Sequence, residues 1–390
     1  MPGRRVGLWR GPPRRDGACE RDRKSRSQQL ALRGNHSRSD CARITLTQEI
    51  RTMSRVRWIV AALIVLPAII LISAAADDLA VRAQASTKVV RIASARGIIF
   101  YPLWGMAPFA EKYGIRTEMI PVMTNADQQR ALQTGDADVA TQGYVNPAIM
   151  AEQNVGNVKI ISGLYLGGQN LIMRKGVELK GWKDLEGKKI GRAPGTFAQV
   201  LFILAAEANN VDVSKINLVN VTAVGTAELQ ALKNGDLDGL VMFTPTVDRG
   251  VVEGYAYYPP CCDISSTAKF GGRNQLLGAN SDFLKDRQTA INFVKAYLDS
   301  EKYYLDHRDK AIEVAMQYTG VSKDVVDEAL KHATLEHRVD VQTAIDVAKE
   351  GPKFGFTKAD MSGKVASYFD LSYLSEATGK PINQLDSLRK

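Results

Sequence analysis

The sequence predicts an α/β protein built of two similar lobes, and three observations carry that reading. Strands and helices alternate at the spacing of βαβ units, which implies largely parallel sheets. An eleven-residue pattern occurs twice, RALQTGDADVA at 130–140 and QALKNGDLDGL at 230–240. Each copy is the end of a helix, a Gly turn and the entry to a strand, so one architecture is used twice. Finally, four strand-to-helix junctions, two in each half, carry the residues that open helices: Tyr101-Pro102, Asn146-Pro147, Pro194-Gly195-Thr196 and Thr244-Pro245.

In chain order, Val89–Ala93 reads as the first strand and Pro102–Tyr113 as a helix ended by Gly114. Thr117–Val122 is the second strand. A helix over Ala126–Gln133 stops at Gly135, and Asp138–Ala140 opens the third strand. The second half repeats this order: strand Lys189–Gly191, a helix from Phe197 with Val200, Leu201, Leu204, Ala205 and Ala208 on one face, strand Asn217–Val221 and helix Thr226–Lys233. After about 282 the pattern is mostly helical. Ile291, Val294, Leu298 and Leu305 line one face, and shorter segments follow near 308–319, 322–332, 340–350 and 359–369.

Charge excludes a nucleic-acid partner for the folded part. The net charge of +9 belongs to the leader: residues 1–87 hold 16 of 51 basic and 7 of 42 acidic residues, leaving 35 of each in 88–390. Arg55 and Arg57 precede 15 apolar residues, Trp58–Ile72, and then Ala83-Gln84-Ala85. That is the layout of a secretory signal peptide over 53–85. A retained anchor is the alternative, although a bilayer span needs about 20 residues. Residues 1–52 are polar and aperiodic and read as a mis-assigned or disordered leader.

Cys19 and Cys41 fall in the leader, so Cys261 and Cys262 are the cysteines of the exported chain. They can form a vicinal disulfide, stay free or bond another chain. The reading adopted is a vicinal disulfide at or near the return crossing between lobes. Asp136/Asp138 and Asp236/Asp238 follow a Gly turn and read as turn and cap residues, with no metal site expected. His307, His332 and His337 read as solvated surface residues.

Ligands of parallel sheets bind beyond the carboxyl ends of the strands. The four junctions would converge there, and helix N-termini favour an anionic or strongly polar group. Arg96, just after the first strand, could pair with a carboxylate, sulfonate or phosphate. Tyr144, Tyr165 and Phe197 could stack on a planar ligand. No H-E-x-x-H, G-x-S-x-G or Walker motif is present, and no enzyme is expected.

The run Trp182-Lys183-Asp184-Leu185-Glu186-Gly187-Lys188-Lys189-Ile190-Gly191, then Pro194-Gly195-Thr196, Ala231-Leu232, Gly235-Asp236-Leu237-Asp238-Gly239 and Phe243-Thr244-Pro245 resembles the NMT1/THI5-like periplasmic solute-binding proteins. This is the broad group of the nitrate, sulfonate and taurine receptors, and the likeness covers roughly 88–305. The resemblance implies a type II periplasmic-binding fold, with 88–172 and 275–390 in lobe 1 and 173–274 in lobe 2. The outward crossing would lie near Asn170–Met173 and the return near Gln275–Gly278.

It also implies hinge closure on a small ligand. The ligand would be anionic or polar and planar; by position the resemblance puts Arg96, Gln142, Gly143, Tyr144, Gly195, Thr196, Phe197 and Thr244 along the cleft, and Tyr101 and Asn146 at the helix junctions and Asn170 at the outward crossing complete the expected contacts. No cofactor is expected. The partners would be the permease and ATPase subunits of an ABC importer, the location periplasmic, and membrane contact limited to the signal peptide or transporter docking. A sensor for a signalling partner is the alternative, and a pyrimidine-synthesis-like enzyme a more distant one.

Overall fold

The computed structural model describes residues 87–387 except 223–224 and 268–269. The leader, the signal-peptide segment 53–85, Cys19 and Cys41 lie outside the described residues. Eleven strands are described: β1 Lys88–Ser94, β2 Ile115–Pro121, β3 Val139–Gly143, β4 Val158–Gly167, β5 Gln169–Arg174, β6 Lys189–Arg192, β7 Asn217–Asn220, β8 Gly239–Phe243, β9 Ala256–Tyr257, β10 Arg273–Asn280 and β11 Ala333–Leu335. They form two sheets, β11-β4-β10-β3-β1-β2 and β7-β6-β8-β5-β9.

The two sheets share one plan. In each, a parallel trio (β2-β1-β3, then β7-β6-β8) is followed by an antiparallel strand contributed from across the molecule, β10 in the first and β5 in the second. Each lobe therefore lends one strand's position to the chain arriving from the other lobe. The exchange ties folding of one lobe to the chain path of its neighbour.

The repeated sequence explains how each trio is held. Gly135 and Gly235 end their helices in the left-handed region, φ 76° and 89°, which suits a residue without Cβ. The second Asp of each copy then braces the strands beside it. Asp138 accepts from the Arg91 backbone N–H at 2.8 Å and pairs with the Arg91 guanidinium at 2.7 Å. Asp238 accepts from the Lys189 N–H at 2.9 Å and pairs with Arg174 at 3.6 Å. The D-x-D repeat is thus structural cross-bracing.

Apolar packing follows the sheets. One cluster, with Val90, Ile92, Leu103, Ile161 and Phe293, lies within lobe 1, and another, with Ile172, Leu229, Leu240 and Val247, lies within lobe 2. A third spans both, joining Ala140 and Tyr144 to Leu171, Phe197 and Val241. The C-terminal helices cover lobe 1: Val341–Phe354 packs on Asn146–Glu152, and Arg287–Asp306 on Ser372–Thr378.

Three expectations change. The helix expected over 102–113 is two pieces, Tyr101–Trp104 and Ala107–Glu111, because Gly105 and Met106 turn the chain where Gly105 meets the Tyr304 hydroxyl. The segment 359–369 is helical only over Ser362–Val365, followed by a tighter turn to Tyr368. Leu305 is half exposed rather than on the core face.

The crossings also lie earlier than expected. Asn170–Met173 is already inside the second sheet and Gln275–Gly278 inside the first. The chain passes outward at Gly167-Gly168 and returns through Gly271-Gly272. The two passages are bonded to each other, Gly167 N–H to Gly272 C=O at 2.5 Å and Asn274 Nδ2 to Gly167 C=O at 2.6 Å. Gly167 and Gly168 both have positive φ, 77° and 75°, and a Cβ on Gly167 would collide with the His332 carbonyl.

Gly167→Ala is therefore expected to cost about 2 kcal/mol or more. Gly156→Ala, at an uncrowded glycine without positive φ, is the control. Urea denaturation measures both; equal midpoints for the two variants would contradict this role of Gly167.

Candidate functional site

The carboxyl ends of the two trios meet beside the crossings. Tyr144, just after β3, is 1 % exposed, and its ring stacks on Phe197 of lobe 2 at 6.2 Å and 21°. Phe197 stacks in turn on Phe270, on the approach to the return crossing, at 6.5 Å. The Tyr144 hydroxyl accepts from the Asp340 N–H at 3.2 Å, and burial pushes its pKa up, so the phenol stays neutral. An aromatic row thus joins lobe 1, lobe 2 and the return passage.

Around that row lies a set of buried carboxamides. Asn146 Oδ1 accepts from the Gly143 N–H at 3.0 Å, and its Nδ2 donates to Gln129 Oε1 at 3.2 Å. Gln169 Nε2 donates to Asn274 Oδ1 at 3.0 Å across the crossing. Gln128 Oε1, Gln142 Oε1, Gln169 Oε1, Gln275 Oε1 and Asn170 Nδ2 are buried with no hydrogen-bond partner among the described residues. Most buried polar atoms are partnered, so the two oxygens that flank Asn274, Gln169 Oε1 and Gln275 Oε1, mark a place where a partner is expected.

Of the residues expected at the site, Gly143, Tyr144, Asn146 and Phe197 lie in or beside this cluster; Gln142 is buried on β3 next to Gly143, and Asn170 is buried on the Ile172 face of β5, opposite Gln169. Thr244 lies on its far side, near Ile99 and Gly168. Gly195 is exposed and Thr196 partly so; Thr196 caps the helix Phe197–Ala208 by accepting from the Gln199 N–H at 3.4 Å.

Tyr101 lies elsewhere, and Arg96 is at the surface. Tyr101 is packed edge-to-face on Tyr304 in the lobe 1 core, at 5.4 Å. Arg96 is exposed, its guanidinium 5.9 Å from the Trp104 ring centre. Tyr165, a possible stacking residue, is likewise in the lobe 1 core against Phe100.

Asn125, Gln128, Gln169, Asn274 and Gln275 were not anticipated. A signal was present: both passages read Gly-Gly followed by amides, Gly167-Gly168-Gln169-Asn170 and Gly271-Gly272-Arg273-Asn274-Gln275.

Cys261 and Cys262 are joined by a disulfide. It lies between β9 and the return passage, with Cys262 buried and Cys261 near the Leu179 carbonyl.

A polar link closes the other side. Asp248, fully buried, accepts from Thr244 Oγ1 and from Tyr258 Oη, the latter at 2.7 Å. The Tyr258 ring lies 4.2 Å from that of His332 in lobe 1, which contacts Glu328 at 3.4 Å. His337 Nδ1 meets the buried Glu301 at 2.7 Å. His332 and His337 are therefore partly buried contact residues, unlike the exposed His307, because β11 and its flanks fold back onto the crossings.

This arrangement of two sheets, each containing the order 2-1-3-n-4, is the type II periplasmic-binding fold. The chain belongs to the NMT1/THI5-like family, whose model matches residues 109–311.

Solved structures of similar fold include the periplasmic aliphatic sulphonate-binding protein SsuA of Escherichia coli, with TM-score 0.62 and 14 % identity, covering 72 % of this chain and 92 % of that one. The periplasmic nitrate-binding protein NrtA of Synechocystis PCC 6803 has TM-score 0.62 and 13 % identity, covering 77 % and 91 %. A Brucella abortus (strain 2308) protein, named only as a binding protein, is 23 % identical over 253 residues, 63 % of this chain and 72 % of that one.

Burial raises the pKa of Asp248, against the opposing pull of the Thr244 and Tyr258 hydroxyls. The folded state then holds this proton more tightly than the unfolded state, so stability falls as pH rises from the ordinary carboxylate range through the raised value. Asp248→Asn carries no charge and escapes that loss. The stability difference should shift in favour of the variant as pH rises above the ordinary carboxylate range of about 4. Chemical denaturation along that rise in pH checks it, and a pH-independent difference would contradict it.

Proposed function

We propose that this chain is an extracytoplasmic solute-binding receptor that captures a small, polar, planar ligand between its lobes and delivers it to the permease and ATPase subunits of an ABC importer. The observation that carries this reading is the pair of unpartnered buried oxygens, Gln169 Oε1 and Gln275 Oε1, that flank Asn274 at the crossing, in a region also walled by the Tyr144–Phe197–Phe270 row. Polar atoms left unpaired in a protein interior are costly, and a ligand filling that place would repay them. Gln142, Gly143, Tyr144, Asn146, Asn170 and Phe197 are the proposed contacts, with Gly195, Thr196 and Thr244 at the margin.

Family membership and the shared fold support the reading, and the paired glycines at both passages suit a hinge. Among the described residues no group of three His, Cys, Asp or Glu could hold a metal ion, and binding without turnover is the activity proposed. No described helix is long and apolar enough to cross a membrane. Residues 88–172 with 275–390, and 173–274, remain the proposed lobes, with their limits moved to the glycine passages.

Thermal-shift screening against oxyanions, sulfonates, aromatic acids and pyrimidine-like compounds tests the proposal, since a ligand that binds only the folded state raises its midpoint. At ligand concentrations about 100 times Kd the stabilisation is about 2.7 kcal/mol. A shift with one class and no consumption of that compound is the expected outcome. No shift with any class, or turnover of the one that binds, would overturn it.

A further inference from the structure

The carboxamides at the crossings have a fixed polarity, and that polarity selects the ligand. A carboxamide can present either its oxygen or its nitrogen, so its orientation is set by neighbours that have only one role. The Gly167 carbonyl can only accept, and Asn274 Nδ2 donates to it at 2.6 Å. Asn274 Oδ1 is thereby left to accept. It does so from Gln169 Nε2 at 3.0 Å and Gln275 Nε2 at 3.5 Å.

Both glutamines consequently turn their Oε1 atoms away from Asn274, and neither oxygen has a hydrogen-bond partner among the described residues. Gln169 is 5 % exposed and Asn274 2 %, so water does not freely serve them. Beside them, Gly143 leaves a place that a Cβ would fill, ringed by Asn146 Oδ1 at 3.2 Å, Asn125 Nδ2 at 3.7 Å and Gln275 Nε2 at 3.7 Å.

We infer that the ligand is an uncharged molecule bearing N–H donors, of the carboxamide, urea or lactam class, and that Gln169 Oε1 and Gln275 Oε1 accept from it. The inference rests on the receptor reading above. A bare oxyanion brings only acceptors and would set lone pairs against lone pairs at both oxygens.

The charges nearby support an uncharged ligand. Arg273 pairs with Asp340 at 2.9 Å, and Asp248 already accepts from two hydroxyls. Arg192, whose Nε has no hydrogen-bond partner among the described residues, sits on β6, two strands from β5, or about 10 Å at the usual strand spacing. Of the four helix N-termini expected to favour an anionic or polar group, the one at Phe197 is capped from within: Thr196 accepts from Gln199 N–H, and Gln199 Oε1 from Gly195 N–H at 2.9 Å.

The test titrates the full mature chain with urea, hydantoin and nicotinamide, and in parallel with nitrate, sulfate and ethanesulfonate, following thermal midpoint and calorimetric heat. The expected result is binding of at least one of the first three and none of the oxyanions. For that probe, Gln275→Met and Gln169→Met, which each remove one acceptor oxygen, should each weaken affinity about tenfold or more.

Unliganded melting curves of both variants show whether they fold, and the other provides the second site if one does not. Binding of oxyanions alone would overturn this assignment and leave the receptor reading intact. Wild-type affinity in a folded Gln275→Met or Gln169→Met variant would also overturn it. Binding of none of the six, together with a negative screen across all the wider classes, would remove both.

Discussion

The bonding between the two passages is the constraint on which the rest depends. Each passage delivers the strand that completes the other lobe's sheet, β5 after the first and β10 after the second. They must therefore run side by side, and the Gly167–Gly272 and Asn274–Gly167 hydrogen bonds hold them so. Two consecutive glycines with positive φ allow a turn tight enough to leave β4 and enter β5 with one residue between them. A side chain there would strike the β11 flank, so the identity of these residues and the path of the chain are a single fact.

The same bonding sets the chemistry of the site. Asn274 is held by a main-chain carbonyl, and its orientation is passed to Gln169 and Gln275. Asn146 is held in the opposite sense by a main-chain N–H, and passes its polarity outward through Gln129 to Gln153. Carboxamides positioned by backbone need no rearrangement to meet a ligand, and pre-organisation of this kind lowers the cost of binding. The aromatic row adds a flat apolar wall beside them.

Much of the fold was legible because it depends on local periodicity. The βαβ grammar, the Gly-capped helices and the repeat at 130–140 and 230–240 are written in adjacent residues, and the repeat's aspartates proved to brace β1 and β6. The proposed site beyond β3 and at Phe197 follows from the same grammar.

What stayed hidden depends on contacts between distant segments. Gln169 and Gln275 read as ordinary polar residues until the crossing buries them 105 or so positions apart in sequence, as the Gln169–Asn274 bond shows. Arg96 and Tyr101 follow β1 as expected, yet Arg96 lies exposed beside Trp104 and Tyr101 packs on Tyr304 in the lobe 1 core. His332 and His337 sit among charged residues that mimic a solvated helix, while β11 carries them to the crossings.

The central claim is that one ligand site lies at the crossings and is built by both lobes. Hydrogen exchange with and without a solute that raises the thermal midpoint tests it most directly, because protection reports backbone groups closed off by the ligand and by lobe closure. The account predicts new protection at Gly143–Asn146, Gln169–Asn170, Phe197–Gln199 and Asn274–Gln275 together. Protection confined to one lobe, or found away from both glycine passages, would contradict it.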